Sequence, residues 1–275
     1  MRNDIILIIL EGQKTEPHLL KELFEEIQKE TSIKLPTIAL AFWKSDLISL
    51  YRKIKDDPFL DYIGVLQESP RLLDNPEELL GIQKERISQT FLLFDHDVQC
   101  VPSRYDNKIE RYTKNVKFLL DHCDNETSES GKLLINYPMI ESFWDHPESP
   151  NACSIKCPYP TSENKRYKEH ISKLNSKRSR PVRFDYALSV CNTHLQRARN
   201  MTDGETDSFD ALETSQRHIF DKEIDLITRC NKSMPLNPVV FLLLDLFGRE
   251  IWPFIKSAHP LCPLDCFPML WPEVD

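Results

Sequence analysis

Three carboxylates in this chain stand where acid chemistry can be mounted. Glu11 closes the apolar run Ile5-Ile6-Leu7-Ile8-Ile9-Leu10 and is followed at once by Gly12. Asp95 and Asp97 close a second run, Phe91-Leu92-Leu93-Phe94, as Asp95-His96-Asp97. In an extended segment, residues two apart point to one side, so Asp95 and Asp97 share a side and His96 takes the other. Grouped oxygen donors suit a hard cation. Mg2+ in particular takes a few carboxylates together with water and substrate phosphate. Each site also has an ordinary reading, Glu11 as the first solvated residue after a core strand and Asp95-His96-Asp97 as a polar loop. It is their pairing at two strand ends that favours one shared pocket.

Two kinds of element must hold these groups. An apolar run without alternation suits a strand covered on both faces, as in a parallel sheet flanked by helices, and ligands of such sheets sit outside the carboxyl ends of the strands. After strand 5–10 the spacing of Leu19, Leu20, Leu23, Phe24 and Ile27 predicts a helix near 16–30, with Thr15 as N-cap and Pro17 in its first turn. A second strand is expected over Thr37–Phe42 and a helix opening at Ser45. A helix over Glu77–Gln89, strand 91–95, helix 107–122 and strand 132–136 complete a β-α alternation. The order predicts an α/β domain over 1–145. Pro147, Pro150, Pro158 and Pro160 then mark a boundary. A mainly helical region, 146–275, follows, with helices near 164–174, 182–200, 208–231 and 238–257 and an Asp203-Gly204 turn. The tail from Pro260 to Pro272 is expected to pack, because Leu261, Phe267, Leu270 and Trp271 are costly to leave in water.

The motif Glu11-Gly12-x-x-Thr15-Glu16-Pro17 after the first strand, with Asp95-x-Asp97 after a later one, resembles the TOPRIM domain of topoisomerases, bacterial primases and OLD-type nucleases. Within that group it looks most like the RloB and AriB proteins of bacterial antiphage systems. Asn136-Tyr137-Pro138-Met139-Ile140-Glu141-Ser142-Phe143-Trp144 is similar to the Asn-x-Pro-x-x-Glu segment that follows in them. The resemblance covers about the first half of the chain. It implies a TOPRIM-like parallel sheet and a phosphodiesterase site dependent on Mg2+ or Mn2+. By position, Glu11 matches the family's glutamate, and Asp95 and Asp97 its metal-binding pair. Lys14 becomes a phosphate partner and Glu141 a further acid of the metal site. The substrate class would be nucleic acid, tRNA or DNA, cleaved by a toxic antiphage effector. Likeness to AriB adds an ATPase on a separate chain as partner, and paired active sites suggest a homodimer.

Composition narrows the classes. With 275 residues and 40% hydrophobic content the chain can bury one large core or two smaller ones. Its longest apolar stretches are too short to span a bilayer, and the N-terminus reads as structure, not as a signal peptide, so a cytoplasmic location without a membrane segment is expected. Eight cysteines are scattered along the chain, and reduced thiols are the expected state. Cys153/Cys157 and Cys262/Cys266 have looser spacing than most four-cysteine zinc sites. Six glycines leave no Gly-rich phosphate loop, which argues against a nucleotide-driven engine within the chain.

A net charge of -8 argues against coating of nucleic acid by bulk charge. Contacts to phosphate must be local, and the best patch is Lys165, Arg166 and Lys168 with Lys177, Arg178, Arg180 and Arg183, a segment that reads equally well as a solvated helix face and loop. Arg104 to Lys117 is a thinner second candidate. Two functions compete at this point, a metal-dependent nuclease and a non-catalytic TOPRIM-like interaction subunit in which Glu11, Asp95 and Asp97 serve structure.

Overall fold

The architecture comes from a computed structural model, which describes residues 5–68, 82–96, 98, 108–146, 159–174, 181–202 and 215–261, without the side chains of 163–165 and 174. The chain divides into two compact units, Met1–Ile140 and Glu141–Asp275. The break falls inside the segment Ile140–Trp144, a short 3-10 turn.

In the first unit, β1 (Ile5–Leu10) leads through α1 (Thr15–Glu30) to β2 (Thr37–Phe42), then α2 (Leu47–Asp56) and α3 (Tyr62–Glu68). β3 (Ile87–Asp95), α4 (Lys108–His122) and β4 (Lys132–Asn136) complete it. The four strands form a parallel sheet in the order β2-β1-β3-β4. All six residues of β1 are buried, as the unbroken apolar run requires of a strand covered on both faces. Each such Ile or Leu withdrawn from water contributes about 2 kcal/mol. With the right-handed connections that are the rule between parallel strands, this order places α1 on one face and α2, α3 and α4 on the other, because the chain reverses its direction across the sheet after β2. The edge-on rings of Tyr51 in α2 and Phe118 in α4, 5.5 Å apart, are a contact within that second layer.

Helix ends show what the side chains decide locally. α2 starts at Asp46, whose carboxylate accepts the Ser49 N–H at 2.8 Å, so the cap is Asp46 and the helix does not open at Ser45. Thr15 is not a cap either. It is the first helical residue, Lys14 occupies the cap position without a side-chain bond, and Pro17 falls in the first turn as expected. At the other end of α1 the Ile27 carbonyl accepts both the Thr31 N–H at 3.0 Å and the Thr31 hydroxyl at 2.6 Å, which closes the last turn.

One expected element is replaced. The helix anticipated over Glu77–Gln89 is absent from 82–89, where Lys84–Arg86 make a single 3-10 turn and β3 already begins at Ile87. The Gln-Lys-Glu-Arg composition favours helix, yet pairing with β1 prevails, Ile5 opposite Ile87 and Ile6 opposite Gln89 across a bulge. The Ser88 hydroxyl reaches the Ile5 carbonyl at 3.3 Å. Residues 77–81 of that expectation lie outside the described residues, as do the Asp203-Gly204 turn, both Cys-x3-Cys pairs and the tail from residue 262.

The second unit is mainly helical among its described residues. α5 (Tyr167–Leu174), α6 (Phe184–Thr202), α7 (Gln216–Cys230) and α8 (Val239–Ser257) accompany a two-residue antiparallel ladder of β5 (Tyr159–Pro160) with β6 (Lys232–Ser233). α7 ends at Asn231, whose left-handed φ of 52° is a usual helix stop. α8 is two helical stretches joined at Gly248, whose φ of 50° breaks the helix at a position suited to glycine. No described helix is long and apolar enough to cross a membrane.

Buried polar groups of this unit are tied together. Arg197, fully buried on α6, donates to the Pro235 carbonyl at 2.8 Å and the Asp145 carbonyl at 2.6 Å, while its guanidinium lies 3.8 Å from the Asp145 carboxylate. The Tyr167 hydroxyl donates to the same carboxylate. Nδ1 of His194 accepts the Asn237 N–H at 3.1 Å, so the neutral ring carries its proton on Nε2. Burial, with Arg197 nearby, holds that imidazole well below its usual range.

Glu223, also buried, accepts from the Ser233 hydroxyl and from the Met234 N–H at 3.0 Å, pinning the β6 turn to α7. Burial pushes its carboxyl up to about 7, and the two donors only partly oppose this. Between the unfolded pKa of 4.5 and about 7 the folded state therefore holds more protons than the unfolded state. Stability from this group is complete below 4.5 and is lost as pH rises through that window. Glu223→Gln, whose amide can accept from Met234 and donate to Ser233, should melt progressively above wild type from pH 5 to pH 8, by up to a few kcal/mol. Thermal melts of both proteins across that range check the sign; a constant difference would refute it.

Candidate active site at the carboxyl end of the parallel sheet

The strand order decides where the acids meet. β1 sends its connection to β2 on one side, and β3 sends its connection to β4 on the other. The crevice of a doubly wound sheet opens between two such strands, outside their carboxyl ends. Glu11 is the first residue after β1 and Asp95 is the last of β3. Both are half-buried at that opening.

They are also bonded to each other's strands. The Glu11 N–H continues the ladder to the Leu93 carbonyl at 3.0 Å, and Oε2 of Glu11 then accepts the Asp95 N–H at 2.9 Å. The carboxylate thus supplies the rung that a further β1 carbonyl would have supplied. Asp95 is oriented in turn: its Oδ1 accepts from Asn136 Nδ2 at 3.0 Å and from the Ile140 N–H at 2.9 Å. Asn136 is fully buried and ends β4 directly opposite Asp95 in the register. Next to Asp95 the His96 ring is buried between Tyr112 and Tyr137, with centroids at 5.3 and 4.9 Å. Burial lowers its pKa to about 3, so it is a neutral packing group. Asp95 is half-buried and His96 is buried, while Asp97, the other acid expected on the side of Asp95, lies outside the described residues.

Gly12 has a steric explanation. Its N–H donates to Oε1 of Glu16 at 3.0 Å, and a Cβ built on Gly12 would lie 2.5 to 2.6 Å from the Glu16 carboxylate oxygens. Glu16 is itself buried and leaves no room beside the turn. Gly12→Ala should push that carboxylate off the Gly12 N–H and cost about 1–2 kcal/mol, with the larger part abolished in a Glu16→Ala background. Denaturant titration of the two single variants and the double variant measures that coupling.

Other predicted site residues fall in different places. Lys14 is exposed at the start of α1. Asp97 lies outside the described residues. Glu141 opens the second unit, is buried, and its Oε1 is 3.3 Å from Nζ of Lys168. Lys168 thus carries an ion pair within its own unit. Arg166 and Arg183 are exposed, while Lys177, Arg178, Arg180 and the Lys165 side chain lie outside the described set. Of the second basic stretch, Arg111 and Lys114 are exposed on α4. The described cysteines, Cys123, Cys191 and Cys230, are free thiols. Burial pushes both Cys123 and Cys191 up to about 12, which leaves them unreactive.

Asn136 and Glu16 lie within the two motifs, yet the sequence assigns neither a site role. Asn136 meets its partner Asp95 only across the sheet, which no local pattern reveals, whereas the Glu16 bond to Gly12 spans four residues within one motif. Among the described residues, no group of three or more His, Cys, Asp and Glu side chains is arranged to hold a metal ion. The two oriented carboxylates offer oxygen donors only, the chemistry that Mg2+ or Mn2+ takes and that softer metals do not prefer. No protein-family model matches this chain, and neither a curated protein nor a solved structure matches it.

Proposed function

We propose that the chain is a metal-dependent nuclease whose TOPRIM-like first unit cleaves the phosphodiester backbone of tRNA or DNA. The single observation that carries this reading is the Glu11 to Asp95 hydrogen bond at the opening between β1 and β3. Two acids from separate strand ends are drawn together where open α/β sheets bind ligands. Glu11, Asp95 and Asp97 would hold Mg2+ or Mn2+, which when bound polarises a phosphoryl oxygen and lowers the pKa of a water. The chain's own part is orientation. Asn136 and the Ile140 N–H hold one Asp95 oxygen, and Glu11 is anchored through the Asp95 N–H. Lys14, exposed beside this turn, is the group available to a substrate phosphate. Resemblance to RloB and AriB extends the proposal to a toxic effector of antiphage defence, acting in the cytoplasm as a homodimer and controlled by a separate ATPase.

A second reading, a non-catalytic interaction subunit, is favoured by one feature. The Glu11 and Asp95 carboxylates already serve backbone donors, as a structural pair would. Incubating the purified chain, freed of any partner, with tRNA and with plasmid DNA in Mg2+, Mn2+ or EDTA separates the two. Cleavage that EDTA stops supports the nuclease; no cleavage of either substrate in either metal supports the interaction subunit.

A further inference from the structure

Only two described non-glycine residues have positive φ, Asn231 and Lys44. Asn231 is the left-handed stop of a helix, a position where asparagine is at ease. Lys44, at φ 55°, lies between the end of β2 and the cap residue Asp46, and lysine is a costly choice for that backbone. Glycine or asparagine would make the same turn with less strain. Such a residue is retained at a cost when its side chain has a task.

Position points to the task. The Trp43 N–H donates to the Leu10 carbonyl at 2.8 Å, so β2 continues alongside β1 up to the residue before Lys44. Glu11 directly follows Leu10 on the neighbouring strand, and adjacent strands are about 4.8 Å apart. Lys44 therefore stands on the same rim of the sheet as Glu11, one strand further from Asp95, with its side chain exposed. Trp43, buried just before it, fixes where the turn leaves the sheet. A polyanion brought to two carboxylates on a chain of net charge -8 needs cationic contacts beside the reacting phosphate.

We propose that Lys44 is a substrate-binding residue, contacting a backbone phosphate that flanks the scissile one, and that its strained backbone holds the ammonium over the β1–β2 edge of the site. The identity of the ligand rests on the nuclease reading; the role of the lysine does not depend on cleavage.

The test measures binding in EDTA by fluorescence anisotropy, with a fluorescein-labelled single-stranded DNA and the RNA of the same sequence, over a series of salt concentrations. Lys44→Asn removes the charge and relieves the backbone. It is expected to raise Tm by roughly 2 °C, weaken binding about fivefold and reduce the salt slope by about 0.7. Lys44→Arg is expected to keep the affinity and slope of wild type. Wild-type affinity and slope in Lys44→Asn would overturn the proposal and leave Lys44 as turn geometry only. A wild-type chain that binds neither strand would overturn both this proposal and the nuclease reading. Binding that depends on Lys44, in a chain that cleaves nothing with metal present, would uphold Lys44 and count against the nuclease alone.

Discussion

Glu11→Gln is expected to lower metal-dependent cleavage by a factor on the order of 10³ while leaving the fold in place. The amide oxygen of glutamine can still accept the Asp95 N–H that Glu11 accepts at 2.9 Å, so the β1–β3 junction keeps its bond. The charge that attracts a divalent cation is gone. Glu11→Ala loses both, and should add a stability cost of about 1–3 kcal/mol because the half-buried Asp95 N–H is left without its acceptor. The contrast is diagnostic. A structural pair predicts that Gln behaves as wild type in every assay and that only Ala is damaged. A catalytic pair predicts that both variants are inactive, with stability lost in Ala alone. Cleavage rates with saturating Mg2+, measured beside denaturant unfolding curves, decide between these patterns. Equal cleavage by wild type and Glu11→Gln would remove Glu11 from the site.

Asp145→Ala should be the most destabilising single change in the second unit, by about 3–5 kcal/mol. The Asp145 carboxylate accepts from the buried Tyr167 hydroxyl and lies 3.8 Å from the buried Arg197 guanidinium as an ion pair. Removing it takes the carboxylate from beside the cation of a fully buried arginine, which keeps its bonds to two backbone carbonyls. Arg197→Met combined with Asp145→Leu removes the charged pair together but leaves the Tyr167 hydroxyl and the Pro235 and Asp145 carbonyls without their partners, so it should be at least as damaging as Asp145→Ala. Chemical denaturation of the three proteins tests this order. A loss below about 1 kcal/mol for Asp145→Ala would show that the carbonyl bonds suffice for Arg197.

Much of the parallel sheet could be read from the chain because its strands need no partner to be recognised. Ile5–Leu10, Thr37–Phe42 and Lys132–Asn136 lie where the apolar runs lie. The helix over Lys108–His122 follows from Tyr112, Val116, Leu119 and Leu120, which share a face at helical spacing and are buried. Where local preference and pairing disagree, the chain alone misleads. Gln83 to Gln89 favours a helix by composition, yet the backbone bonds to β1 outweigh a few tenths of a kcal/mol per residue in propensity.

The acidic residues illustrate the same division. That Glu11 and Asp95 stand at strand ends follows from the one-dimensional pattern, because a charge cannot sit inside a doubly covered strand without cost. That they meet does not follow from it. Their junction depends on β3 lying beside β1 with β4 on its far side, an order set by how the crossovers pack their helices. The same order brings Asn136 opposite Asp95 and Lys44 onto the rim beside Glu11. Residue type and hydrophobic period are local properties, legible along the chain. Neighbourhood across a sheet is a property of the packed whole, and only the tertiary structure decides it.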